Sequence, residues 1–211
     1  MILGVIPARG GSKGIPYKNI KRLNGKPLIS YVIDAALESK IDKLVVSTDD
    51  ELIAMIAKDC GAEVKMRGEG ISGDKDASEL ALLDVIYDSP NTDILCFLQC
   101  TSPLTTADDI NGCIDGLEDH DCCFSVQETT ALLWDEEGAI NHEQSYRDMR
   151  QDRIQYEETG AIYAMKAKGF LEHEYRFFGK LSYHITPHGV DIDTEDDFKI
   201  AEVLLNDRNT G

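Results

Sequence analysis

Basic residues are scarce in this chain: 21 Lys and Arg stand against 39 Asp and Glu, a formal charge of −18 over 211 residues. So acidic a chain disfavours a duplex or RNA backbone as its main partner, because phosphate contacts need a basic face. The chain also lacks any CxxC pair. Its six cysteines (Cys60, Cys96, Cys100, Cys113, Cys122, Cys123) lie mostly in apolar stretches such as ILCFL and CCFSV. That argues against zinc or disulfide frameworks and for buried, reduced thiols. No apolar run approaches the ~18–20 residues that span a bilayer, so no membrane partner is expected. The opening MILGVIPARGG has no basic region before its short apolar run and does not read as a signal peptide; the expected location is the cytoplasm. HExxH, the P-loop pattern GxxxxGK followed by Ser or Thr, internal repeats and low-complexity segments are all missing, and the glycine-rich loop at residues 6–19 does not read as GxGxxG. The five histidines are scattered and suggest no Ser–His–Asp arrangement.

What is present is a globular composition, 42% hydrophobic and 28% charged, at a length that suits one domain, 1–211, able to bury a core. Short apolar runs at Ile2–Pro7, Leu44–Ser47, Ile94–Leu98 and Cys122–Val126 read as strands buried on both faces. Helical spacing separates them: Leu28, Ile29, Val32, Ile33, Ala36 and Leu37, with Pro27 at the first turn; Leu52, Ile53 and Ile56; Leu80, Leu83 and Ile86; Ile110, Ile114 and Leu117. Thr48 or Asp49 is the expected N-cap after the second strand, and Thr105 or Thr106 after the third. This alternation predicts an α/β fold, a Rossmann-like and mostly parallel sheet flanked by helices. The pattern breaks between about Gln127 and Thr159, read as a small arm or subdomain with a loop as the alternative. Strand-like Ala161–Met165, a short helix near Ala167–Leu171 and strand-like Leu181–Ile185 follow. A last helix has Thr194 as cap and Phe198, Ala201, Leu204 and Leu205 inside.

Chemistry concentrates in three places. In IPARGGSKGIPYKN, residues 6–19, a strand ends at Pro7 and runs into three glycines, Ser12 and the cations Arg9, Lys13 and Lys18. Ligands of an open parallel sheet sit beyond the carboxyl ends of its strands. Glycines let backbone N–H groups approach an anion, and cations supply countercharge, so the loop reads as a polyphosphate cradle. The bland alternative is a solvated glycine turn. In VDIDTEDD, residues 190–197, Asp191 and Asp193 have i, i+2 spacing and project to one side of an extended segment, a pair suited to magnesium beside phosphates. Here the bland alternative is an acidic helix cap. In FLQCTSPLTT, residues 97–106, Gln99, Thr101 and Ser102 can offer uncharged hydrogen bonds to a polar substrate, unless the loop only caps a helix.

With these residues in view, the chain resembles the acylneuraminate cytidylyltransferases, or CMP-sialic acid synthetases, over nearly its whole length. The family's AR-x-x-SKG-x-P-x-KN reads here from Ala8 to Asn19; VSTD is Val46–Asp49, LQ-x-TSPL is Leu98–Leu104, GAIY is Gly160–Tyr163 and DIDT is Asp191–Thr194. The resemblance implies a nucleotide-diphospho-sugar transferase-like fold and transfer of CMP from CTP to a nonulosonic acid, with release of pyrophosphate. It implies that Ala8, Arg9, Ser12, Lys13, Lys18 and Asn19 hold the nucleotide. Arg67, Asp76 and Ser78 would stand at the cytosine-reading position. Gln99, with Thr101 and Ser102, would meet the sugar, and Asp191 and Asp193 would carry Mg2+. Arg9, Lys13, Asp191 and Asp193 become the catalytic candidates. Homodimerisation through the 127–159 arm is likewise an implication of the resemblance. Two departures concern the acceptor: Thr105-Thr106 stands where PLRT is common, and Glu157-Glu158-Thr159 where Arg-x-Asn usually precedes GAIY. They leave N-acetylneuraminate, legionaminate, pseudaminate or a related acid open. Readings of another kind are a non-catalytic nucleotide-binding regulator and a nucleotidyltransferase acting on a sugar 1-phosphate.

Overall fold

The computed structural model describes residues 1–11, 14–68, 78–146, 149, 152–187 and 189–210. Its elements in order are β1 (Ile2–Pro7), a 3-10 turn (Lys18–Ile20), β2 (Arg22–Leu23), β3 (Lys26–Pro27), α1 (Leu28–Leu37), β4 (Lys43–Thr48), α2 (Glu51–Asp59) and β5 (Glu63–Met66). Then come α3 (Ser78–Tyr87), β6 (Ile94–Leu98), α4 (Ala107–Asp115), β7 (Cys122–Thr129), β8 (Gln155–Lys166), α5 (Ala167–His173), β9 (Leu181–Ile185) and α6 (Glu195–Thr210). The main sheet has 7 strands in the order β5-β4-β1-β6-β8-β7-β9. β1 pairs parallel with β4 and β6, β4 with β5, and β7 with β9, while β8 runs against both β6 and β7. The mostly parallel α/β sheet read from the sequence is therefore the one observed.

The apolar runs became strands because helices cover both sheet faces. On one face Ile29, Val32 and Ile33 of α1, Ile53 and Ala57 of α2, and Ile110 and Ile114 of α4 pack on Ile6, Val46 and Leu98. On the other, Leu82, Val85 and Ile86 of α3 and Phe170 of α5 pack on Leu3, Val5, Leu95 and Phe97. A third cluster joins Ile15, Leu23, Leu28, Leu104, Ile192, Phe198 and Ala201, so α6 folds the C-terminal segment back onto the loop after β1.

Local expectations fare unevenly. Thr106 caps α4 in a capping box with Asp109, and Thr194 and Asp197 exchange the same reciprocal bonds at the start of α6. α2 is capped by Asp50 instead of Thr48 or Asp49: its carboxylate accepts from the N–H groups of Leu52 (2.8 Å) and Ile53 (3.0 Å). Thr48 is still strand, and the Asp49 carboxylate turns away to accept from the Gly10 N–H at 2.9 Å. Pro27 stands at the N-cap of α1, one position before its first turn. In α3 the side chain of Leu80 is exposed, and the buried face is Glu79, Ala81, Leu82, Val85 and Ile86. The i, i+3 run through Leu80 lies one position off the stripe that meets the sheet. The cysteines are free, and all but Cys60 are buried. Among the described residues no helix is long and apolar enough to cross a membrane.

The irregular stretch after Gln127 begins as a ribbon. β7 and β8 stay paired beyond the other strands, Val126–Thr129 against Gln155–Glu158, after a register shift that follows Phe124. Gly160, at φ +73°, lies in that irregularity, and the Ser125 hydroxyl accepts the Ile162 N–H at 3.0 Å. Trp134 bridges Ala139 further along the ribbon's connection.

Candidate functional site

The chain moves outward from β1 to β4 and β5, then returns to place β6 on the other side of β1. That reversal opens a crevice beyond the carboxyl ends of β1 and β6, where ligands of such sheets bind. Three of the segments singled out by sequence converge there.

The loop after β1 is fixed at both ends. Ala8 continues the ladder, its N–H donating to the Ser47 carbonyl at 2.9 Å. Gly10 follows, held by Asp49; a Cβ there would come within 2.7 Å of an Asp50 carboxylate oxygen, so only glycine fits without moving the α2 cap. At the far end Tyr17 adopts a left-handed conformation, φ 54°, and turns the chain into the 3-10 turn. Lys18 then points across the crevice: its Nζ donates to the Ile192 carbonyl at 2.6 Å and to Asp193 Oδ1 at 2.8 Å. Asn19 is buried, its Nδ2 donating to the Arg9 carbonyl at 2.9 Å while its Oδ1 accepts the Cys100 thiol at 3.2 Å.

The loop after β6 completes the junction. The Thr101 hydroxyl donates to Asp191 Oδ1, and the Thr101 carbonyl accepts the Ile192 N–H at 2.9 Å. Gln99 donates its backbone N–H to the Ala161 carbonyl at 2.9 Å, which ties this loop to β8. Thr101 and Ser102 are both buried, and the Ser102 hydroxyl has no partner. Ile192, fully buried between its two aspartates, anchors the third segment in the cluster around α6.

Arg67 closes the side nearest β4. Its N–H donates to the Thr48 carbonyl at 2.7 Å, and its guanidinium, only 7% exposed, lies 4.0 Å from Asp49. Burial pulls its pKa down and the neighbouring Arg9 adds to that, while Asp49 opposes both. Nε of Arg67 is buried without a partner. The pKa of Asp191 moves the other way, upward. Burial of its carboxylate is the main cause, the bond from Thr101 opposes it, and repulsion from Asp193 adds to it. Burial holds the Cys100 thiol at a pKa of about 12, so it stays protonated and donates to Asn19.

The structure thus brings Ala8, Arg9, Lys18, Asn19, Arg67, Gln99, Thr101, Ser102, Asp191 and Asp193 to one edge. Ser78 opens α3. Ser12, Lys13 and Asp76 lie outside the described residues. Two participants escaped the sequence reading: Asp49, taken as a helix cap, and Cys100, taken as an inert core thiol. The signal for Cys100 was its place inside LQCTSPL, between two residues already selected.

For a metal, the donor set is small. Among the described residues no cluster of three or more metal-ligating side chains forms. Two carboxylates on one extended segment fit a hard cation that takes its remaining ligands from phosphate oxygens and water. They do not fit a closed all-protein cage.

The chain matches the family described as cytidylyltransferase over residues 3–202. It is 35% identical over 211 aligned residues to N-acylneuraminate cytidylyltransferase B of Danio rerio, an alignment covering 94% of this chain and 50% of that protein. It thus spans half the length of that relative. Against the pseudaminic acid cytidylyltransferase of Campylobacter jejuni subsp. jejuni serotype O:2 it is 34% identical over 220 residues, covering 96% of this chain and 95% of the other. Among solved structures, a CMP:2-keto-3-deoxy-manno-octonic acid synthetase complexed with CTP superposes with a TM-score of 0.76 at 18% identity, covering 98% of this chain and 99% of that one, and so shares the fold. With the loop after β1 tied through Lys18 to the Asp191–Asp193 segment and the family match running over residues 3–202, the chain belongs to the cytidylyltransferase family.

Proposed function

We propose that this protein transfers CMP from CTP to a nonulosonic acid, releasing pyrophosphate. The observation that carries the reading is the bridge from Lys18 to Asp193, which holds the loop after β1 and the aspartate pair at one edge. The relatives' names supply the substrate class, and pseudaminate stands beside N-acylneuraminate as acceptor because both kinds of relative match equally well.

In this reading the acceptor's anomeric hydroxyl attacks the α-phosphorus of CTP. One P–O bond forms, the bond to pyrophosphate breaks, and the hydroxyl proton passes to a carboxylate at the edge, Asp191 or Asp193, or to solvent. Such a transfer needs alignment and charge neutralisation more than covalent help. Arg9, Lys13 and Lys18 supply countercharge, Ser12 and the glycine N–H groups supply hydrogen bonds, and Asn19 faces the α-phosphate side. Its amide is oriented by Cys100 and by the Arg9 carbonyl. Thr101 orients Asp191, leaving Gln99 and Ser102 to meet the acceptor. Arg67, Asp76 and Ser78 read the base. Asp191 and Asp193 would hold magnesium, which when bound offsets charge on the α-phosphate and the departing pyrophosphate.

Self-association belongs to the same proposal. The ribbon and its neighbours expose Leu133, Trp134, Ile140, Tyr156 and Tyr183, an apolar surface of the kind that a second copy covers. Free thiols in the core fit a reducing cytoplasm. The decisive assay measures pyrophosphate release with CTP, magnesium chloride and a panel of nonulosonic acids. Release with CTP and at least one acid is expected. A chain that binds CTP and releases nothing with any acid, or prefers a sugar 1-phosphate, overturns the reading.

A further inference from the structure

Away from the crevice floor, one buried ion pair is built with unusual care. Glu79, in the first turn of α3, is buried, and its Oε1 accepts from Arg176 Nε at 2.6 Å. The side chains are only 8% and 20% exposed. Arg176 lies over two rings, 4.9 Å from the Phe97 centroid on β6 and 4.7 Å from that of Tyr163 on β8. Those rings stack on each other at 5.4 Å with planes 15° apart. The Tyr163 hydroxyl in turn donates to Glu158, in the ribbon part of β8. The pair therefore spans 97 residues of sequence and ties α3 to β6 and β8.

The other end of α3 has its own clamp. Lys65 of β5 donates to the Asp84 carbonyl at 2.5 Å and contacts the carboxylates of Asp84 at 2.9 Å and Asp88 at 2.7 Å. Lys65 stands two residues before Arg67, and Asp84 is close enough to act electrostatically on the Arg67 guanidinium. α3 is thus held at its last turns to the strand that delivers Arg67, and at its first turn to the strands that carry the acceptor side. Ser78 is the residue next to Glu79, so its position follows from both clamps.

Buried ion pairs contribute little net stability, and the use best attested for them is to specify one arrangement among several. We infer that Glu79 and Arg176 are positioning residues for nucleotide selection: their pair fixes the first turn of α3 so that Ser78 stands in register with Arg67 around the pyrimidine. The inference rests on the proposed reading of Arg67 and Ser78 as the base-recognising residues. Glu79 and Arg176 do not touch the nucleotide; they act through Ser78.

Titration calorimetry with CTP and with UTP, in magnesium chloride, tests this without any acceptor. The unaltered chain is expected to prefer CTP. Glu79→Ala should weaken CTP at least ~10-fold and leave UTP nearly unchanged, because displacements of about 1 Å at a positioned site cost on the order of 10²-fold. Glu79→Gln keeps an acceptor for Arg176 Nε and should retain most of the preference. Arg176→Lys keeps the charge but loses the flat stack over two rings, and should fall between. If Glu79→Ala melts earlier yet keeps the full preference for CTP, the pair is structural only and the inference fails while the proposed function stands. If Glu79→Ala does not fold, equal preference in the unaltered chain and in Arg176→Lys overturns it. A chain that binds neither nucleotide removes the proposed function, and the inference with it.

Discussion

Asp191 shows how a site residue is held against its own preference. Its carboxylate is desolvated by the wall it leans on and repelled by Asp193, and only the Thr101 hydroxyl and Lys18 offset this. An acid whose folded pKa is raised loses stability at every pH above that value, and regains it as pH falls through it. A neutral amide of the same shape escapes that penalty and still accepts from Thr101. Asp191→Asn is therefore expected to raise the melting temperature at pH 7 while lowering pyrophosphate release, which calorimetry and the release assay check together. A drop in both would show that the carboxylate stabilises the fold. At this scale the sequence was informative where a residue type is rare against its background. Cations in an acidic chain stand out, and Arg9, Lys18 and Arg67 all arrive at the crevice. Asp49 did not stand out, because one more aspartate in an acidic chain is no signal. Only the fold shows that it spends its carboxylate on Gly10.

Elements buried on both faces were readable because their apolar runs have no other way to hide. β1, β4 and β6 fall within a residue of their expected limits, and so does β9, an edge strand that its alternation of apolar and polar residues marks instead. β5, with the sequence EVKM, is a sheet edge and mixes polar with apolar residues, so nothing in it marks a strand. β2 and β3 are two residues each and exist because α6 packs behind them. β8 starts six residues earlier than its apolar stretch, since its ribbon half pairs with β7 through backbone bonds that any side chains permit. Caps follow the same logic. Thr106 and Asp109 exchange both bonds of a capping box in an otherwise short helix, so Thr106→Ala should cost about 1 kcal/mol of stability. Urea unfolding measures it, and a change below ~0.3 kcal/mol would mean that packing on Ile110 and Ile114 alone sets the end of α4.

Over the whole molecule, strand order does what no single motif could. The sequence supplied the loop after β1 and the aspartates near residue 190 as separate signals; the return of the chain from β5 to β6 and the docking of α6 make them neighbours. The same scale governs assembly. β9 is an edge strand whose Leu181, Tyr183 and Ile185 all face outward, with Tyr183 4.9 Å from Tyr156 of the ribbon. An uncovered apolar edge of this kind invites pairing. Light scattering is expected to give twice the monomer mass, and Tyr183→Glu to halve it without loss of helical signal. A monomer in the unaltered chain removes the ribbon and β9 as a self-association surface.

β8 alone runs against its neighbours, and the consequence reaches beyond packing. Its opening half comes to the crevice from outside, whereas every group assigned to the triphosphate comes from below, out of strands that share the opposite heading. Residues 155–157 therefore lie apart from the residues proposed to grip the nucleotide, whereas Glu158 accepts the Tyr163 hydroxyl beneath Arg176 and Thr159 bonds Ser125. A lineage could keep its donor and exchange its sugar by altering one short stretch of chain. In this chain that stretch ends in Glu157-Glu158-Thr159, immediately before Gly160.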